Sequence, residues 1–149
     1  MGVRLKNVTR ENFETVISLE LAASQKGYVA CNLYSIAESS IHPTYQPRVI
    51  YCGEEVVGFL MYESFHHDHQ PPAYNIFRLM VDRRHQGRGI GHRAMQCVLE
   101  EIRAHGPFER ILICYVSTNQ VAREFYASLG FQETGLSKVT GEAIAEIQG

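Results

Sequence analysis

One run constrains this chain more than any other: Arg83-Arg84-His85-Gln86-Gly87-Arg88-Gly89-Ile90-Gly91-His92-Arg93, set between a strand-like stretch, Ile76 to Val81, and an amphipathic helical one, Ala94 to Ile102. The first N–H groups of a helix have no partner inside the helix, and the macrodipole places partial positive charge there. Three glycines at alternate positions remove the side chains that would hold a ligand away from the backbone. With Arg84, Arg88 and Arg93 around it, such a junction is a cradle for phosphate oxygens. The same residues also fit a tight turn with solvated arginines, and a short glycine motif alone does not decide between the two.

Two familiar phosphate loops are excluded by the residues. A P-loop needs Gly-Lys-Ser/Thr, whereas Gly91 is followed by His92 and Arg93. A dinucleotide fingerprint would place its third glycine at His92 and an acidic residue about 20 positions on, at the end of a second strand. The next strand-like run, Arg110 to Val116, ends in Val116-Ser117. What remains is Gln-x-x-Gly-x-Gly (Gln86, Gly89, Gly91). With Arg78-Leu79-Met80-Val81-Asp82 before it and Asn119 through Phe131 after it, this run resembles the acyl-CoA pyrophosphate loop of the GNAT superfamily of N-acetyltransferases.

The rest of the chain fits one domain, residues 1–149, with an ordinary globular balance of 45% hydrophobic and 20% charged residues. A formal net charge of −2 argues against a nucleic-acid binder. The four cysteines, Cys31, Cys52, Cys97 and Cys114, show no C-x-x-C spacing and read as reduced, largely buried small hydrophobes. No signal-like start and no long apolar run is visible, so a cytoplasmic protein is expected, without a membrane partner.

Along the chain, Val3 to Val8 reads as a strand, and Thr9 caps a helix running through Phe13, Val16, Ile17, Glu20 and Leu21 to a stop at Gln25-Lys26-Gly27. A short helix spans Ser35 to Ile41. Arg48 to Cys52 and Glu55 to Phe65 form a hairpin across Gly53-Glu54. Ala73 to Val81 follows the polar His66 to Pro72 loop. Gly91, Ala94, Met95, Val98, Leu99 and Ile102 share one helical face. After Gly106-Pro107 come a strand to Val116, a helix from Asn119 to Leu129 closed by Gly130, and strands at Phe131 to Glu133 and Ala143 to Ile147. This element order is similar to that of the GNAT fold. The resemblance therefore implies an α/β (α+β) architecture, a mixed, mostly antiparallel splayed sheet flanked by about four helices.

The resemblance also implies the reaction: attack of a neutral amine on the thioester of acetyl-CoA. Backbone N–H groups from Gln86, Gly87, Arg88, Gly89, Ile90 and Gly91 would take the pyrophosphate. The backbone of Met80 and Val81 would pair with the pantetheine arm as a missing strand does, with the Val81 N–H on the thioester carbonyl. Tyr126 stands where the family commonly keeps the acid that protonates the leaving thiolate. Asn119 would cap its helix and reach the cofactor, and Arg123 would reach a phosphate. Where many members carry a glutamate on the strand before the loop, this chain has Asn75, which takes no proton; Glu63 is a candidate substitute, directly or through water, a solvated surface glutamate is the other reading, and the base stays unassigned. Tyr28, Asn32, Glu63, Asn75 and Arg78 are candidate acceptor residues.

Val29 to Glu38, Val57 to Tyr62 and Arg78 to Asp82 look like the branch described as spermine/spermidine acetyltransferases. A polyamine acceptor would suit a cleft on which Glu20, Glu38, Glu63 and Asp68 converge, whereas Arg78 on that side would favour a carboxylate-bearing amine. The alternatives are an amino-acid-like or peptide N-terminal amine, and a non-catalytic acyl-CoA-binding module. Adjacent His66, His67 and His69 point different ways on a loop, so no metal site is expected. The last strand reads as an edge open to a second copy, and dimers are frequent in the superfamily.

Overall fold

The computed structural model describes residues 2–22 and 31–149. Seven strands form one sheet: β1 (Val3–Lys6), β2 (Tyr45–Cys52), β3 (Glu55–Phe65), β4 (Ala73–Val81), β5 (Arg110–Tyr115), β6 (Gln132–Leu136) and β7 (Ala143–Gln148). Their spatial order is β1-β2-β3-β4-β5-β7-β6, antiparallel throughout except where β4 meets β5. Among the described residues four helices accompany them: α1 (Phe13–Ile17), α2 (Asn32–Ile41), α3 (Ile90–Ala104) and α4 (Gln120–Ser128). No helix among the described residues is long and apolar enough to cross a membrane.

The sheet separates two apolar layers. On one face Leu60, Tyr62, Ile76, Ile111 and Ile113 pack beneath α3 and α4. On the other, Val49, Phe59, Met61 and Met80 meet Val16 of α1 and Ile36 of α2. The helical face read from the sequence is the buried face of α3, which carries Ala94, Met95, Val98, Leu99 and Ile102. The far end of α3 is pinned: Glu101 accepts from Arg48 Nε at 3.1 Å and from the Tyr62 hydroxyl, whose phenol burial pushes up. The helix therefore presents its N-terminus to the glycine loop from a fixed base.

Several expectations are corrected. Helix α1 ends at Ile17 rather than continuing through Leu21, because the Glu20 N–H is captured by the Asp82 carboxylate at 2.9 Å. Thr9 does act at its start, in a reciprocal pair: its hydroxyl accepts from the Asn12 N–H at 3.3 Å, and Asn12 Oδ1 accepts from the Thr9 N–H at 2.8 Å. The Gln25-Lys26-Gly27 stop lies outside the described residues. Strand β7 is interior rather than an edge; its inward Ala143 and Ala145 are buried, while every residue of β6, the true edge, is exposed. The four cysteines are free, but Cys31 and Cys114 are exposed, since Cys114 faces away from the layer that buries Ile113 and Tyr115.

Candidate active site

Strands β4 and β5 pair only at Tyr74–Ile111 and Asn75–Leu112. Beyond that point the sheet opens, and the second half of β4 is left without its neighbour. A bulge helps: Met61 and Tyr62 oppose Arg78 and Ile76, so Phe77 is an extra residue that bends the strand.

Hydrogen bonding settles which backbone groups face the opening. The Asp82 N–H donates to the Val57 carbonyl at 2.8 Å, toward β3. By strand alternation Val81 and Leu79 then turn their N–H and C=O groups the other way. The Gln86 amide donates to the Val81 carbonyl at 2.9 Å, folding the loop back on the strand and leaving the Val81 N–H for a ligand. The expectation for Met80 is corrected here. Its carbonyl lies toward β3, only 2.5 Å from where a Cβ on Gly58 would stand, which is why position 58 is glycine. It is Leu79, with Val81, that turns its backbone groups toward the opening.

A single 3-10 turn, Arg83–His85, leads into the loop. Gly87 and Gly89 sit at φ 81° and 75°, the left-handed region that favours glycine, and a Cβ on either would project into open space. Helix α3 begins immediately after, at Ile90, so its first N–H groups look out over the same space. At Gly91 the ring of Phe125 of α4 lies 3.7 Å from where a Cβ would stand, an ordinary contact distance.

These pieces enclose a cavity of about 670 Å³. Of the expected cofactor residues, Met80, Val81, Gln86, Gly87, Gly89 and Ile90 line it, as do Gly91, Asn119 and Tyr126. Leu79, Phe125 and Val121 also line it and were not anticipated. Asn119 caps α4 by accepting from the Ala122 N–H at 3.0 Å. Tyr126 stacks on Tyr115 with ring centroids 5.7 Å apart, and burial pushes its phenol up to about 12. It therefore stays protonated at any physiological pH, as a proton donor must.

Two expected residues are not brought to the cavity. Arg88 is exposed on the loop. Arg123 is committed elsewhere: it donates to Glu133 at 2.6 Å, to the Ser117 carbonyl at 2.6 Å and to Gln120 at 3.1 Å. Its helical position turns it toward β6, away from the opening.

Asp82 is the residue that sequence reasoning missed. Only 2% exposed, it accepts from the Glu20 N–H, from Arg84 Nε at 2.8 Å and lies 3.3 Å from His85 Nδ1. Burial alone would raise its carboxyl; those donors outweigh it and hold it below the ordinary value. The Arg83 N–H donates to the Glu20 carbonyl at 2.7 Å. This knot ties the chain after α1 to the base of the loop. Only the position of an aspartate at a strand end hinted at it, because its partner Glu20 is remote in sequence.

On the α2 face, Asn32 is buried and donates to the Val16 carbonyl at 2.9 Å, so it serves as a brace between helices. Glu63 accepts from Asn75 at 3.4 Å across the β3–β4 register. Arg78 pairs with Glu38 at 3.0 Å. Of the four acids expected to converge, Glu63 stands opposite Tyr45 in the β2–β3 register and Glu38 pairs with Arg78; both act on the Tyr45 phenol, which burial first and these two charges next push up. Glu20 instead pairs with Arg83 at 3.4 Å, and Asp68 is exposed on the loop after β3. Tyr28 lies outside the described residues.

An internal strand edge, running into a glycine cradle at a helix N-terminus, defines a protein that takes an extended, phosphate-bearing carrier along its sheet. Residues 13–131 match the acetyltransferase (GNAT) family model, and the chain belongs to that family; it is an acetyltransferase whose co-substrate is acetyl-CoA. The chain is 24% identical over 147 residues to a spermine/spermidine N(1)-acetyltransferase of Bacillus subtilis, covering 97% of each. Its fold matches an aminoglycoside acetyltransferase in complex with coenzyme A, with a TM-score of 0.78 at 15% identity, over 99% of this chain and 95% of that one. It also matches a PaiA N-acetyltransferase from Thermoplasma acidophilum in complex with coenzyme A, with a TM-score of 0.72 at 14% identity, over the full length of both.

Proposed function

We propose that the protein transfers the acetyl group of acetyl-CoA to a primary amine of a small molecule, with polyamines as the acceptor class. The observation that carries the acceptor is the meeting of Glu38 and Glu63 at Tyr45, beside the bulged strand. Helices α3 and α4 cover one face of the opening, so an acceptor reaches the reacting end from the α2 face, where these carboxylates stand. The named relative that acts on spermine and spermidine agrees with this choice.

The chain's residues fit the cofactor in two respects. The left-handed glycines leave open space over a helix N-terminus, and the Leu79 and Val81 N–H groups face the opening. When bound, acetyl-CoA supplies an activated thioester. The N–H groups of β4 hold its carbonyl oxygen as negative charge develops there. Glu63, or a water held between it and Asn75, takes the proton from the acceptor ammonium so that the free amine can form the new C–N bond. As the C–S bond breaks, Tyr126 would give its proton to the departing sulfur, and the tyrosinate so formed would take the second proton from the nitrogen of the new amide.

The test is thiol release from acetyl-CoA with spermidine, spermine, short diamines, amino acids and peptides. Saturable turnover with the polyamines is expected. Turnover restricted to carboxylate-bearing amines would overturn the acceptor class, and acetyl-CoA binding without turnover on any of them would overturn the small-amine reading.

A further inference from the structure

Arg78 stands on the α2 face of β4, beside the bulge at Phe77 and opposite Met61 in the register. A bare guanidinium there would repel an incoming ammonium. It is not bare. Its Nη2 lies 3.0 Å from Glu38 Oε1, with the two side chains 17% and 22% exposed, and its guanidinium carbon rests 4.7 Å above the Phe77 ring. Phe77 in turn meets Tyr45 edge-on at 4.9 Å, and Tyr45 stacks on His42 at 4.4 Å. Glu63 stands opposite Tyr45 in the β2–β3 register, and Glu63, Glu38 and Arg78 all act on the Tyr45 phenol, so those three charges border one place. Two are negative and one positive, which leaves that place with a net charge of −1 from the three.

We propose that Glu38 is the specificity-determining residue of the acceptor site: by pairing with Arg78 it cancels that cation, so that the remote end of the acceptor is an ammonium rather than a carboxylate. The inference rests on the amine-acetyltransferase reading and deepens it. Tyr45 and Phe77 supply the aromatic wall along which a methylene chain and its distal ammonium lie. Without Glu38, Arg78 would present an unopposed planar fork, the geometry that binds a carboxylate through two parallel hydrogen bonds. One side chain on α2 thus decides between two acceptor classes without touching the cofactor half.

The test compares three acceptors that share a reacting end and differ at the other: 1,5-diaminopentane, hexylamine and 6-aminohexanoate. The wild-type protein should prefer them in that order by kcat/KM. In Glu38→Gln the ratio of diamine to 6-aminohexanoate should fall by about thirtyfold or more, inverting the order. In Glu38→Gln/Arg78→Gln the diamine preference should return, because the cation that would attract a carboxylate is gone together with its partner; a merely structural role for the pair would not produce that recovery. A Glu38→Gln protein in which all three acceptors fall together, with the order kept, overturns the inference and leaves the acetyltransferase reading standing. Failure of the wild type to acetylate any of the three, with acetyl-CoA bound, overturns the small-amine reading and the inference with it.

Discussion

The two halves of the proposed site are made of different material. The half that faces α3 and α4 is built from backbone: the Leu79 and Val81 N–H groups, two left-handed glycines and the start of a helix. The half that faces α2 is built from side chains: Glu38, Glu63, Asn75, Arg78 and Tyr45. Backbone recognition depends on where the chain goes and tolerates almost any side chain that keeps it there. Side-chain recognition depends on each residue's charge and shape. A family can therefore keep one half constant while the other changes its acceptor.

That contrast can be broken first at the loop. Gly89→Val places a branched side chain at φ 75°, where it meets no protein atom but strains the backbone and fills the space over the start of α3. Acetyl-CoA binding, followed by calorimetry, should become undetectable in a folded protein, and retained affinity would remove the loop from the cofactor half. Next, Tyr126→Phe should lower kcat by about a thousandfold while acetyl-CoA affinity stays unchanged. Because burial pushes that phenol up to about 12, wild-type kcat should show no loss assignable to Tyr126 between about pH 7 and pH 10. Full activity of the Phe variant would show that another group delivers the proton.

Glu63→Gln sharpens the acceptor half. Turnover of amines should fall by about a hundredfold, with acetyl-CoA affinity untouched. An equal loss in cofactor affinity would mean that the halves are not separable. Asp82→Asn should lower the melting temperature by several degrees and raise the KM for acetyl-CoA several-fold. The sign of its pH dependence is fixed by its depressed folded value: the stabilisation is fully present above the unfolded aspartate value and is lost as pH falls through the folded one. The gap between wild type and variant, followed by thermal melts, should therefore close on acidification below about pH 4. The smallest effect is expected at Arg123→Ala, whose KM for acetyl-CoA should stay within about twofold, since its guanidinium is spent on Glu133 and Ser117.

The backbone half was far more legible in the sequence than the side-chain half. Alternate glycines, a strand before them and a clean helical face after them announce a loop whose geometry is local. Most of the expected cofactor residues accordingly line the cavity, while Arg123, judged from its helix alone, does not. The exchange of Met80 for Leu79 needed one hydrogen bond, Asp82 to Val57, that fixes the parity of the strand. The acceptor half rests on meetings between α2, β2, β3 and β4, and no periodicity encodes which of several acids will face Tyr45. The same reason hid the knot at Asp82 and the interior place of β7, both decided by long-range pairing.

The opening between β4 and β5 has a consequence for the protein as a material. Most proteins manage strand edges at the rim of a sheet; this one keeps an edge in the middle, where Leu79 and Val81 offer donors to whatever extended chain fits. Phe125 and Tyr126 narrow the gap, and Gln86 occupies one carbonyl, but the vacancy is as long as half a strand. On the proposed mode of binding, acetyl-CoA is also the missing strand of the sheet, so that the co-substrate completes the β4 edge that the fold leaves open.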